Sequence, residues 1–187
     1  MIHSRALRVL LLLGGAAYAW SMEEIVVDFE NAVPLLAESK ANRVPRWEEK
    51  GVVFTLAREP QQTKAKGLLM FFTHLSNGHK GIACAMATEP IPVRATFPRP
   101  ASSVSISFWG STATPALLEA FNEEDKVVDR SSLESVPSRK SPGDPVPIFT
   151  LTVRASRIAY IQFSGPREGE YLVADEVRFT PVDGDRK

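Results

Sequence analysis

Apolar and polar positions alternate one for one from Ser103 to Trp109, with Val104, Ile106 and Phe108 on one face of an extended chain and Ser103, Ser105 and Ser107 on the other. Such a segment is a strand with one face in a core and the other in water. Phe149-Thr150-Leu151-Thr152-Val153 repeats the period, and Val177 and Phe179 carry it into the last apolar run, 173–179. Apolar runs bounded by turn residues predict further short strands at 25–29, 51–56, 67–73, 81–87, 93–97, 116–121, 127–130 and 158–163. All 14 prolines lie after residue 33, and their spacing leaves little room for long helices, because proline lacks the amide donor and clashes inside a helix. A single helical turn fits around Leu35-Leu36-Ala37-Glu38.

Each half-apolar sheet must bury one face against another, so the pattern predicts an all-β fold, an antiparallel two-sheet β-sandwich. Asn122-Glu123-Glu124-Asp125-Lys126 is a short polar connection suited to joining antiparallel strands. The segment 130–147, with Pro137, Pro142, Pro145 and Pro147 among Ser, Arg, Lys and Asp, reads as a long surface loop within one domain.

Composition adds compartment. The chain has 187 residues, 22 Lys+Arg against 22 Asp+Glu, and one Cys, which excludes an intrachain disulfide framework and a zinc site built from cysteines. The charge balance gives no reason to expect nucleic acid as a partner. Arg5 and Arg8, the apolar run Val9 to Leu13, Gly14, Gly15 and Ala17-Tyr18-Ala19 have the order of a secretory signal peptide, residues 1–19. A transmembrane anchor is the alternative, but this stretch falls short of the ~20 residues that cross a bilayer. The expected organisation is a signal peptide (1–19), one β-sandwich domain (20–182) and a frayed tail (183–187), secreted or periplasmic and free of the membrane after cleavage.

Four motifs occur in order: Asp28-Phe29-Glu30-Asn31, Thr96-Phe97-Pro98-Arg99-Pro100-Ala101-Ser102-Ser103-Val104, Ile161-Gln162-Phe163-Ser164-Gly165 and Asp175-Glu176-Val177-Arg178-Phe179. Together they resemble exported bacterial jelly-roll domains of the galactose-binding-like superfamily, which includes many carbohydrate-binding modules. The resemblance covers roughly residues 25–181. It implies a sandwich with its termini close together and a structural calcium ion where the first and last strands meet. Carried over by motif, Glu30 and Asp175 are the residues for that metal. Calcium takes six to eight oxygens, so backbone carbonyls and water would have to complete the shell. The alternatives are that both are solvated strand-end carboxylates, or that Asp175 pairs with Arg178.

Trp109 falls on the serine parity at a strand end, and an exposed indole is a natural platform for the C–H face of a sugar. With Trp47, Arg46 and His79 it forms the candidate ligand-binding surface; the competing reading places both indoles in the core. His74 and His79 flank Asn77-Gly78 and read as turn residues, since their spacing is not the helical pairing of a metalloprotease. Cys84, among small apolar residues, reads as buried filler. No nucleophile elbow, phosphate loop or dinucleotide fingerprint is present, so no catalytic residue is assigned. The first expectation is a noncatalytic exported domain that binds a glycan or another extracellular polymer. The second is a structural or protein-interaction domain without a small ligand, and the third a carbohydrate hydrolase.

Overall fold

The computed structural model describes residues 23–32, 43–59, 68–74, 76–84, 91–110, 115–137, 139–141, 143–164 and 172–182. The leader 1–19, the helical turn expected at 35–38, the tail 183–187 and the side chain of Cys84 lie outside the described residues. No helix occurs among the described residues, and hence none long and apolar enough to cross a membrane. The strands are β1 (Ile25–Val27), β2 (Arg43–Val44), β3 (Arg46–Glu49), β4 (Val52–Leu56), β5 (Leu69–Thr73), β6 (Lys80–Cys84), β7 (Val93–Gly110), β8 (Ala116–Phe121), β9 (Val127–Leu133), β10 (Phe149–Ser164) and β11 (Leu172–Pro181). All pairings are antiparallel, along β2-β5-β6-β11-β7-β10-β8-β9, with β1 on β11 and the β3–β4 hairpin on β7.

Two pairs of expected strands are fused. The runs at 93–97 and 104–109 form one 18-residue strand, β7, and those at 149–153 and 158–163 one 16-residue strand, β10. Pro98 and Pro100 suggest a break, because they cannot donate to a ladder. In the structure they sit where the β7–β10 register is interrupted, between Thr96↔Tyr160 and Ala101↔Ile158, and Pro100 instead offers its carbonyl to the Val182 amide at 2.8 Å.

This interruption is a corner. Phe149 pairs with Phe108, and Phe163 lies fourteen residues further along β10, about 46 Å away if the strand were straight. Yet the Phe108 ring is 5.7 Å from Phe149 and 5.5 Å from Phe163. The sheet is therefore folded over into two facing layers, with β7 and β10 running through both, as in a β-sandwich. Val104, Ile106 and Phe108 are fully buried between the layers, whereas Ser103, Ser105 and Ser107 are half-buried on the outer face, as the alternation predicts.

Candidate functional site

A cleft of about 520 Å³ opens on the outer side of the layer that carries β11. Asp28 and Glu30 reach it from the turn after β1, Asn77 and His79 from the β5–β6 turn, Ser107 from β7, Ile148 from the loop before β10, and Asp175 and Glu176 from β11.

Asp175 owes its position to a bulge. The β11–β7 register passes from Ala174↔Phe108 to Glu176↔Ser107, leaving Asp175 as the extra residue, a device that bends a strand and re-aims a side chain. The side chain is 5% exposed, its Oδ1 has no hydrogen-bond partner, and its Oδ2 lies 3.9 Å from His79 Nδ1. Burial pushes the carboxyl above its usual range; His79 and then His74 oppose the shift, while Glu176 and Glu30 add to it. Gly81 allows β6 to lie against this bulge: a Cβ there would stand 2.6 Å from the Ala174 carbonyl oxygen.

The first turn is built on a strained residue. Phe29 has φ 57°, rare for a bulky side chain, and its ring is fully buried edge-on to Phe54 at 5.1 Å. That burial holds the turn, in which Asp28 Oδ1 accepts the Glu30 amide at 3.2 Å. Glu30 Oε1 in turn accepts the Lys80 amide at 3.1 Å, tying the β1 turn to the start of β6.

His74 organises the neighbouring turn. Its Nδ1 accepts the amides of Ser76 (3.2 Å) and Asn77 (3.3 Å), which places the ring proton on Nε2, where it donates to the Val146 carbonyl at 3.1 Å. The Val146 amide donates to Ser76 Oγ at 2.8 Å. These bonds fasten the proline-rich loop over Trp109, which packs with Ala83 and Val173 beneath Phe72 and Val146.

The residues expected to bind ligand are not brought together. Trp109 does project on the serine parity, but it is 4% exposed, with its indole edge-on to His74 at 5.1 Å and packed with Val146 of the loop, so it is not the open platform that a sugar needs. Trp47 packs against the main core, edge-on to Phe71 at 4.9 Å, and its indole N–H donates to Glu49 Oε2 at 3.3 Å. Arg46, next to it in β3, is exposed and paired with Glu48 at 2.5 Å. Of the four, His79 alone lines the cleft. His74, read as an ordinary turn histidine, is buried.

The residues marked for metal do converge. β1 pairs with β11 as expected for the first and last strands, and Glu30 and Asp175 line the same cleft. Glu30 Oε1 already accepts the Lys80 amide, and among the described residues no group of three or more His, Cys, Asp or Glu side chains is placed to hold a metal ion, so any calcium here would depend on backbone carbonyls and water for most of its shell. Arg178 pairs with Glu176 and Glu24, leaving Asp175 to His79. Asp28, Asn77, Ser107, Ile148 and Glu176 were not singled out from sequence. Asn77 lies in a marked turn and Ser107 on the polar parity of a marked strand, signals that indicate exposure but not convergence.

No family model and no curated protein matches the chain. Solved structures similar to it include the K1 cleaved adhesin domain of Lys-gingipain from Porphyromonas gingivalis (12% identity, TM-score 0.38, covering 86% of this chain and 99% of that one). Another is CsCBM6-3 from Clostridium stercorarium in complex with cellobiose (14%, TM-score 0.36, 69% and 93%). A third is the arabinose-bound α-L-arabinofuranosidase MgGH51 (9%, TM-score 0.43), of which the likeness spans 27%.

Proposed function

We propose that this chain is an exported, noncatalytic binding domain that takes a glycan, or another hydroxyl-rich extracellular polymer, in the Asp175 cleft. The observation that carries the reading is the buried Asp175 oxygen without a donor. Such an unmade bond costs about 1–3 kcal/mol; the oxygen is closed to solvent in the free protein, so the reading requires the cleft to open around Asp175 for a ligand hydroxyl to donate to it and recover that cost. Around it Asn77, His79 and Ser107 offer donors and acceptors, and Ile148, 42% exposed, offers a surface for sugar C–H groups. The indoles take no part. The leader pattern at 1–19 supports export.

The test is retention of the mature protein on immobilised neutral polysaccharides, with Asp175→Asn as the comparison. The variant keeps the shape and removes the charged acceptor, so affinity should fall about tenfold or more. A folded wild-type protein that no polysaccharide retains, or an Asp175→Asn variant that binds equally well, overturns the proposal. One observation favours a second reading, glycoside hydrolysis: the cleft holds Asp175 with a raised pKa, suited to a general acid, together with Glu30. Release of reducing ends by the wild type and not by Asp175→Asn would establish it in place of simple binding.

A further inference from the structure

The register carries one polar row across the outer face of the opposite layer. Arg46, Thr55, Arg94, Gln162, Glu119 and Arg130 are successive cross-strand partners on β3, β4, β7, β10, β8 and β9. Beside it, Tyr160 is flanked by Thr96 and Phe121. The Arg94 guanidinium lies 3.6 Å over the Tyr160 ring, and Phe121 stacks on that ring at 4.7 Å with planes 6° apart. Tyr160 is fixed in turn, because its hydroxyl donates to Asp125 Oδ1 at 2.9 Å. Asp125 is held at φ 58° in a turn whose Asn122 side chain accepts the amides of Glu124 and Lys126.

Two arginines of the row have carboxylates: Arg46 has Glu48 and Arg130 has Glu119. Arg94 has none among the described residues; its Nε donates to Thr96 Oγ1 at 3.4 Å, and its terminal nitrogens have no hydrogen-bond partner among the described residues. A guanidinium held by stacking, with its fork free, is prepared for a planar oxyanion without further loss of side-chain freedom.

We propose that this face is a second binding site, separate from the Asp175 cleft, at which Arg94 takes the carboxylate of a uronate-containing polysaccharide lying across the strands. Thr55 and Gln162, on either side of Arg94 in the row, supply hydroxyl and amide groups for the sugar. Arg46 lies two strands away, roughly 10 Å along the row, within reach of the same chain. A peptide would look for an open strand edge or apolar pockets, and the row offers a flat polar surface within paired strands. The whole chain has formal net charge zero, so local contacts and not bulk attraction must retain an acidic polymer.

Affinity electrophoresis through gels containing polygalacturonate tests the assignment, with gels containing neutral galactan as reference and polyglutamate as competitor. The wild type should be retarded by polygalacturonate, and Arg94→Gln and Arg94→Lys should each lose about tenfold or more in affinity, since hydrogen bonds to a charged group are at stake. Asp175→Asn should be retarded like the wild type, which separates failure here from failure of the cleft reading. Unaltered melting of the Arg94 variants establishes that they fold. Full affinity in Arg94→Lys would show that a point charge suffices and overturn the role of the stacked fork. Equal competition by polyglutamate would overturn the sugar assignment, and no retardation of the wild type would overturn the site.

Discussion

The two outer faces of this folded sheet dispose of their polar side chains in opposite ways. On the layer carrying β11, hydroxyls pair across strands, Ser105 with Thr152 at 2.9 Å and Ser107 with Thr150 at 3.4 Å. That ladder runs out at the β11 bulge, where Asp175 keeps an unpaired acceptor. On the other layer side chains stack, and the unpaired group is a donor, the Arg94 fork. Regular pairing satisfies almost everything in an antiparallel sheet, so what it leaves over defines what a ligand must bring. The Asp175 cleft asks for hydroxyl donors and the Arg94 face for an oxyanion; the other unpaired buried polar atoms among the described residues, the Trp109 indole N–H and Glu49 Oε1, do not line the cleft.

Both faces hang on the folded β7–β10 ladder, and removing its pivot is the harshest way to break the comparison. Phe108→Ala deletes a fully buried ring that touches Phe149 and Phe163. The expected loss is about 3–5 kcal/mol in urea unfolding, and binding at both faces should fall together. A loss below about 1 kcal/mol would mean that the halves do not face each other through this residue. Gly81→Ala is milder and one-sided. Its Cβ meets backbone at the bulge, so overpacking should cost about 1–3 kcal/mol and distort the Asp175 cleft while the Arg94 face keeps its ligand. Equal damage to both faces would contradict the separation of the sites.

The fold was legible where side chains alternate and where they do not have to bend. Ser103 to Trp109 has the burial that its pattern dictates up to Phe108, because parity is a local property of a strand. The fusion of 93–97 with 104–109 was hidden by Pro98 and Pro100, since a proline marks a missing donor whether the chain ends or turns a corner there. Trp109 was assigned the correct side of its strand, but its cover comes from Val146, held by His74 and Ser76 through contacts that no local pattern encodes. Glu30 and Asp175 were paired through a family resemblance and do share a cleft. The bulge that buries Asp175 carries no glycine or other mark in Asp175-Glu176-Val177. Arg94 and Tyr160 escaped notice altogether, being cross-strand neighbours 66 residues apart whose stacking depends on a register that sequence does not reveal.

A smaller effect sharpens the contrast at the cleft. Because burial raises the folded-state pKa of Asp175 above its unfolded value, its contribution favours folding below the unfolded pKa and is lost as pH rises through the folded one. Once ionised, the carboxylate is therefore a burden on the folded state. Asp175→Asn should melt about 2–4 °C higher at pH 7, the size of a ~1 kcal/mol gain, and the difference should shrink as pH is lowered toward the unfolded carboxyl range. Weaker glycan binding together with higher stability is the signature of a group kept for a ligand. A lower melting temperature at pH 7 would instead make Asp175 a structural residue.

The smallest expected effect is none, and it concerns calcium at the same place. A resident ion held by Glu30 and Asp175 would bind the folded chain alone and raise its melting temperature by mass action, so millimolar calcium and chelator should then give different curves. Identical curves are expected, because Glu30 Oε1 already accepts the Lys80 amide and among the described residues no group of three or more His, Cys, Asp or Glu side chains is placed to hold an ion. An upward shift with calcium that disappears in Asp175→Asn would reassign the unpaired oxygen from ligand recognition to metal binding. The acceptor-bearing face would then owe its specificity to an ion, while the Arg94 face, on the opposite layer, would bind its polymer unchanged.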